Sequence, residues 1–167
     1  MALAAGSLIA LPAWATGWSQ TSAQPLQPFL SGSQASLLAE IAETLIPASD
    51  TPGAKALGVP GFIQKMLEDC YEKPVQEAVK SGLEAVETLA NASFGNSFAT
   101  GDAAQRQAVL AKMATAEEPA RKEFFALVKN LTIQGYTTSE YVMTKHLHYV
   151  MAPGHYYGCV PAAVATK

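Results

Sequence analysis

Between Glu43 and Ile63 the sequence reads ETLIPASDTPGAKALGVPGFI, a helix-forming start cut by three prolines and three glycines. No regular helix survives such a stretch. Pro47 pushes the residue before it out of the α region and stops the preceding helix. Ser49-Asp50-Thr51-Pro52-Gly53 is turn chemistry: Asp bonds its following backbone, Pro fixes φ, and Gly permits positive φ. AKALG then has room for one helical turn with Gly58 as its C-cap. The segment is expected to be a rigid helix–loop–helix corner, and it limits the fold to helices meeting across it.

The flanking patterns are helical. Leu37, Leu38, Ile41 and Leu45 recur at helical spacing over about Gln34–Ile46, with Ser33 as the expected N-cap. Beyond the corner, Val59, Phe62, Ile63, Met66, Leu67 and Cys70 form an apolar stripe, with Pro60 in the first turn. Further helices are expected over about Pro74–Ala92, with Val75, Val79, Val86 and Leu89 as its stripe, and from an Asp102 cap to about Ala114. The stretch from Thr115 to Tyr136 is expected to be the longest helix, opened by Pro119 and ended by Gly135. A short one follows from Ser139 through His146. No alternating strand pattern runs for more than a few residues. The expected fold is therefore all-α: a small irregular bundle of about five to six helices, with an extended N-terminal arm and an irregular C-terminal tail. At 167 residues this is one domain, large enough to bury roughly 70% of the unfolded chain's surface without a metal or cofactor.

The expected organisation is a leader-like segment over 1–15, an extended arm over 16–33 and a helical domain over 34–167. MALAAGSLIALPAWA ends in an A-x-A pattern and resembles the hydrophobic and cleavage regions of an export signal, without the positive n-region. A buried N-terminal helix is the alternative. The arm that follows is uncharged and rich in Ser, Gln and Pro, with Trp18 and Phe29 as anchors. Charged residues make up only 15% of the chain, against about 25% in an average protein, which suits a surface partly hidden by a partner. With a net charge of −3 and no basic run, nucleic acid is not an expected ligand.

Motifs for catalysis are scarce. G-x-G-x-x-G, P-loop, C-x-x-C-H, H-E-x-x-H and G-x-S-x-G patterns do not occur. No catalytic, cofactor-binding or metal site is expected in this chain. His146, His148 and His155 are the candidates for a metal site in an alternative reading as a stand-alone periplasmic helical enzyme or metal-binding protein. On a helix, however, His146 and His148 point about 200° apart. Asp50 can serve as a base, but a structural role in its turn is the plainer reading. Cys70 and Cys159 are expected to form a disulfide in an exported chain, contributing roughly 4–5 kcal/mol less any strain; two buried thiols are the alternative. Five tyrosines from Tyr136 to Tyr157 suit packing or an interface.

ETLIPASDTPGAKALGVPGFIQKML resembles the signature stretch of the gluconate 2-dehydrogenase subunit 3 family, and GYTTSE and APGHYYGC are similar to two later stretches of that family, in the same order. The resemblance covers about Ser36 to Cys159. It implies a small helical subunit of an exported sugar or sugar-acid dehydrogenase. In such a complex a large glucose-methanol-choline-type subunit holds FAD and does the chemistry, and a cytochrome c carrying haem c takes the electrons. It also implies a periplasmic location, at the inner membrane through the complex, and a role in export and maturation of the large subunit. The twin-arginine pair of such leaders is absent. Trp14, Trp18, Phe29, Pro52, Gly53, Tyr156 and Tyr157 are the expected contacts with the large subunit.

Overall fold

The computed structural model describes residues 29–150, together with Ala152 and Gly154. Among them there are six α-helices and no strand: α1 Gly32–Leu45, α2 Val59–Cys70, α3 Lys73–Phe94, α4 Ala103–Thr115, α5 Pro119–Thr137 and α6 Glu140–Lys145. A 3-10 turn, Phe98–Thr100, bridges α3 and α4. The all-α expectation holds.

Local chemistry fixes the helix starts. Ser31 caps α1 in a capping box: its Oγ accepts the Gln34 N–H at 3.3 Å, and Gln34 Oε1 accepts the Ser31 N–H at 3.1 Å. Asp102 and Gln105 repeat this at α4, at 2.7 and 3.2 Å. Ser33 is therefore not the cap of α1 but lies within its first turn. Ser31 prevails because a glutamine stands three residues after it, whereas Ser36 stands three after Ser33. Helix α1 thus begins two residues ahead of the expected Gln34.

The longest helix is α3, at 22 residues, rather than α5, at 19. It continues past Ala92 to Phe94 because Gly95 takes the left-handed conformation, φ 72°, that closes a helix. Gly135 does not end α5, which runs on to Thr137. A Cβ at Gly135 would stand 2.6 Å from Cδ1 of Phe62, so the glycine serves close approach of α5 to α2. Gly82 does the same on α3, where a Cβ would stand 2.2 Å from the Phe124 ring.

The core is drawn from all the long helices. Leu38 and Ile41 of α1, Ile63 and Leu67 of α2, Leu83 of α3, Met113 of α4 and Leu131 of α5 are all buried in one cluster. Each such side chain contributes about 1.5–3 kcal/mol by leaving water. Phe98 of the 3-10 turn and Leu30, ahead of α1, join them. Phe29 packs partly buried on the same cluster, with Lys80 Nζ 5.4 Å from its ring centroid. Residues 29 and 30 therefore belong to the packed domain. Gln76, buried on α3, donates through Nε2 to the carbonyls of Leu67 and Tyr71, each at 2.9 Å, which satisfies the last turn of α2. No helix among the described residues is long and apolar enough to cross a membrane.

Candidate functional site at the Pro/Gly corner

The corner between α1 and α2 carries more tertiary polar contacts than any other loop described. Glu43, on the last turn of α1, supplies both carboxylate oxygens to it. One accepts the Ala48 N–H at 3.2 Å and the other the Lys55 N–H at 2.8 Å. The carboxylate thus accepts two loop N–H groups that have no backbone acceptor. Gly53 passes directly over it. A Cβ there would lie 2.3 Å from Glu43 Oε1 and 2.7 Å from the Ala48 nitrogen. Only glycine fits, and the reason is the carboxylate rather than a positive φ.

Gly58 is the residue that uses a positive φ, 70°. It ends the turn over residues 54–58, as expected, and also stands as the N-cap position of α2. The Ala54 N–H donates to the Ile46 carbonyl at 3.0 Å, closing the loop across its neck. From the far side, Tyr136 of α5 donates its hydroxyl to the Pro52 carbonyl at 3.0 Å.

A second carboxylate sits one turn earlier on α1. Glu40 takes the Lys55 ammonium on one oxygen and Arg106 Nη1 of α4, at 2.7 Å, on the other. Arg106 is itself held by the carbonyls of Gly101, at 2.9 Å from Nε, and Ala99, at 2.7 Å from Nη2. The hydrogen-bonded Lys55 ammonium, helped by the charge of Arg106, holds the Glu40 carboxyl below the usual carboxylate range against the opposing effect of partial burial. The corner, α1, α4 and the 3-10 turn are therefore joined through one polar chain: Lys55, Glu40, Arg106.

The expected site residues are dispersed, and Phe29, an expected partner contact, packs half-buried on the chain's own core. Pro52 and Gly53 sit together in the corner, Pro52 half-buried and Gly53 buried. Asp50 is exposed and accepts the Ser49 hydroxyl at 2.9 Å rather than a following backbone N–H as expected; the Thr51 N–H goes to Ser49 Oγ at 3.5 Å. His146 and His148 are exposed at the other end of the chain. The His146 ring meets Tyr141 edge-on at 5.5 Å, and His148 has φ 49°. Among the described residues no three His, Cys, Asp or Glu side chains gather as a metal site. Cys70 is exposed at the end of α2. Trp14, Trp18, His155, Tyr156, Tyr157 and Cys159, with the leader and most of the arm, lie outside the described residues.

Glu40, Glu43 and Arg106 were not singled out in the sequence, and Tyr136 was read only as one of five tyrosines suited to packing or an interface. The available signal was weak: Glu40 and Glu43 stand three apart on α1, so they share a face just ahead of a loop poor in N–H partners. Nothing in the sequence says which distant arginine or tyrosine meets them.

The chain matches the family described as gluconate 2-dehydrogenase subunit 3 over residues 32–154. The chain belongs to that family. No curated protein and no solved structure matches it. The gluconate 2-dehydrogenase subunit 3 match begins at the first residue of α1 and takes in the whole bundle with the corner. This places the chain as an accessory-type subunit of a dehydrogenase, and a dehydrogenase subunit of this kind has a catalytic partner subunit.

Proposed function

We propose that this chain is the non-catalytic small subunit of a periplasmic sugar or sugar-acid dehydrogenase complex. The large subunit, of the glucose-methanol-choline type, holds FAD and oxidises the substrate; a cytochrome c subunit with haem c receives the electrons. The small subunit assists export, folding and stability of its partner. The observation that carries this reading is the family match over the entire helical domain. The corner supports it as the recognised shape. Its backbone is fixed from α1 and α5, while Pro47, Ala48, Ser49 and Asp50 stand exposed on its outer edge. A prearranged, exposed loop binds at a lower ordering cost than a flexible one.

The test is expression of the catalytic subunit with and without this chain, followed by cell fractionation and dye reduction with a panel of sugars. The complex should turn over. The isolated small subunit should not, and the catalytic subunit alone should be depleted from the periplasm. Substantial turnover by the isolated small subunit, or full export and stability of the flavoprotein without it, would overturn the proposal.

A further inference from the structure

We propose that Glu40 and Glu43 form a carboxylate clasp whose neutralisation opens the corner, residues 47–58, as a local unit while the six helices stay folded. Within that span only Gly53 and Ala54 are buried, and Leu57 packs half-buried on the core, so little apolar surface holds it down. Segments with few buried apolar contacts open at a small fraction of the global unfolding free energy. What remains is polar. Glu43 takes two backbone N–H groups, Glu40 takes the Lys55 ammonium, and Tyr136 and the Ala54–Ile46 bond supply the two neutral ties. Lys55 is common to both carboxylates: its N–H goes to Glu43 and its Nζ to Glu40.

The charged groups facing the clasp are few. Lys55 comes from the corner itself, Arg106 from α4, and Glu40 and Glu43 stand together on α1. α5 brings the neutral Tyr136 phenol. Two carboxylates one turn apart are thus balanced by two cations. Both cations pair with Glu40, so removing its charge leaves Lys55 and Arg106 without that partner, whereas removing the Glu43 charge leaves both ion pairs in place.

The sign with pH follows from Glu40. Its carboxyl is held below the ordinary range when folded, so its contribution is complete above the unfolded-state value and is lost as pH falls through the folded one. The corner is therefore held most firmly at neutral pH and less firmly on the acid side. Replacing Glu43 by Gln acts at every pH. A carboxylate accepts on both oxygens, whereas the amide has one acceptor and presents an N–H to the second backbone donor.

The inference about the clasp stands on geometry alone; its consequence for partner binding rests on the accessory-subunit reading. Amide hydrogen exchange on the full chain tests it, with rates corrected for the intrinsic pH dependence. In Glu43→Gln, the Ala48 and Lys55 amides should exchange at least about tenfold faster than in the wild type, with α3 and α5 amides unchanged. The wild type should show a smaller loss in the same direction in acid, through Glu40. Lys55→Met, which keeps the Glu43 bonds, should show a smaller loss and serves where Glu43→Gln does not fold. Unchanged corner amides in the variants, or acceleration of corner and helices together, would overturn the clasp. Capture of the co-expressed catalytic subunit, measured on the same samples, reads the other claim. If the corner opens selectively but the wild type captures no flavoprotein, the accessory reading falls and the clasp stands.

Discussion

The corner and the C-terminal end of the described chain are both non-helical segments beside a helix, yet they are held in opposite ways. The corner is tied by side chains to α1 and α5, and through Glu40 of α1 to Arg106 of α4. The segment after α6 folds back on its own helix. The Leu147 N–H donates to the Val142 carbonyl at 3.0 Å and the Tyr149 N–H to the Met143 carbonyl at 2.9 Å. α6 has no buried residue, and Leu147, Tyr149 and Val150 are each more than half exposed. Irregular backbone becomes part of the fold when tertiary partners satisfy it, and stays a local feature when only its neighbours do.

The largest expected effect comes from filling the space between Gly53 and Glu43. Gly53→Ala puts a Cβ against the carboxylate and the Ala48 nitrogen, so the clasp has to shift. A loss of about 1–3 kcal/mol is expected, as for overpacking elsewhere. Gly61→Ala is the contrast: it lies in α2, and its Cβ would meet nothing within 4 Å. It should gain up to about 1 kcal/mol from helix propensity. Denaturant melts of the two variants decide the point, and equal effects would mean that the corner is no tighter than a free helix surface.

Next in size is Glu40→Gln. At neutral pH it should cost about 1 kcal/mol or less, because its partners are part-exposed and screened. Since the folded carboxyl lies below its ordinary range, the gap between wild type and variant should close as pH falls. Paired melts at neutral and acid pH measure it; a gap that widens in acid would contradict the assigned ion pairs. Tyr136→Phe removes one hydrogen bond to the Pro52 carbonyl and should cost about 1 kcal/mol at either pH. Its independence of pH separates the neutral tie from the charged one.

The same contrast explains what could be read from the residues. Helix periodicity and the Pro47, Pro60, Pro119 and Asp102 signals are local, and they placed all six helices. The errors fell where local signals compete. Two serines offered caps for α1, and the glutamine after Ser31 decided between them. Gly135 read as a stop, although its lack of a side chain serves packing on Phe62. The corner was legible as a shape from its prolines and glycines. Its support was not, because Tyr136 reaches Pro52 from 84 residues away and Arg106 reaches Glu40 from 66. Local spacing carries no information about such pairs.

The smallest expected effect belongs to the C-terminal segment. Serine at Leu147, Tyr149 or Val150 removes apolar surface that is mostly in water already, so little transfer free energy is lost. The two hydrogen bonds that shape the segment use main-chain groups, which serine retains. Each substitution should therefore shift global stability by less than about 0.5 kcal/mol, the range for surface positions away from special features. In the same denaturant melts the three variants should overlay the wild type, while Gly53→Ala separates from it. A loss above 1 kcal/mol at any of the three would mean that the segment is held by the bundle, and the distinction between tertiary and local anchoring would fail there. Amide exchange gives the finer reading. The Leu147 and Tyr149 amides bond only to carbonyls of a short, unburied helix, so they should exchange by local fraying. Their rates should not respond to Glu43→Gln, which acts at the other anchoring system.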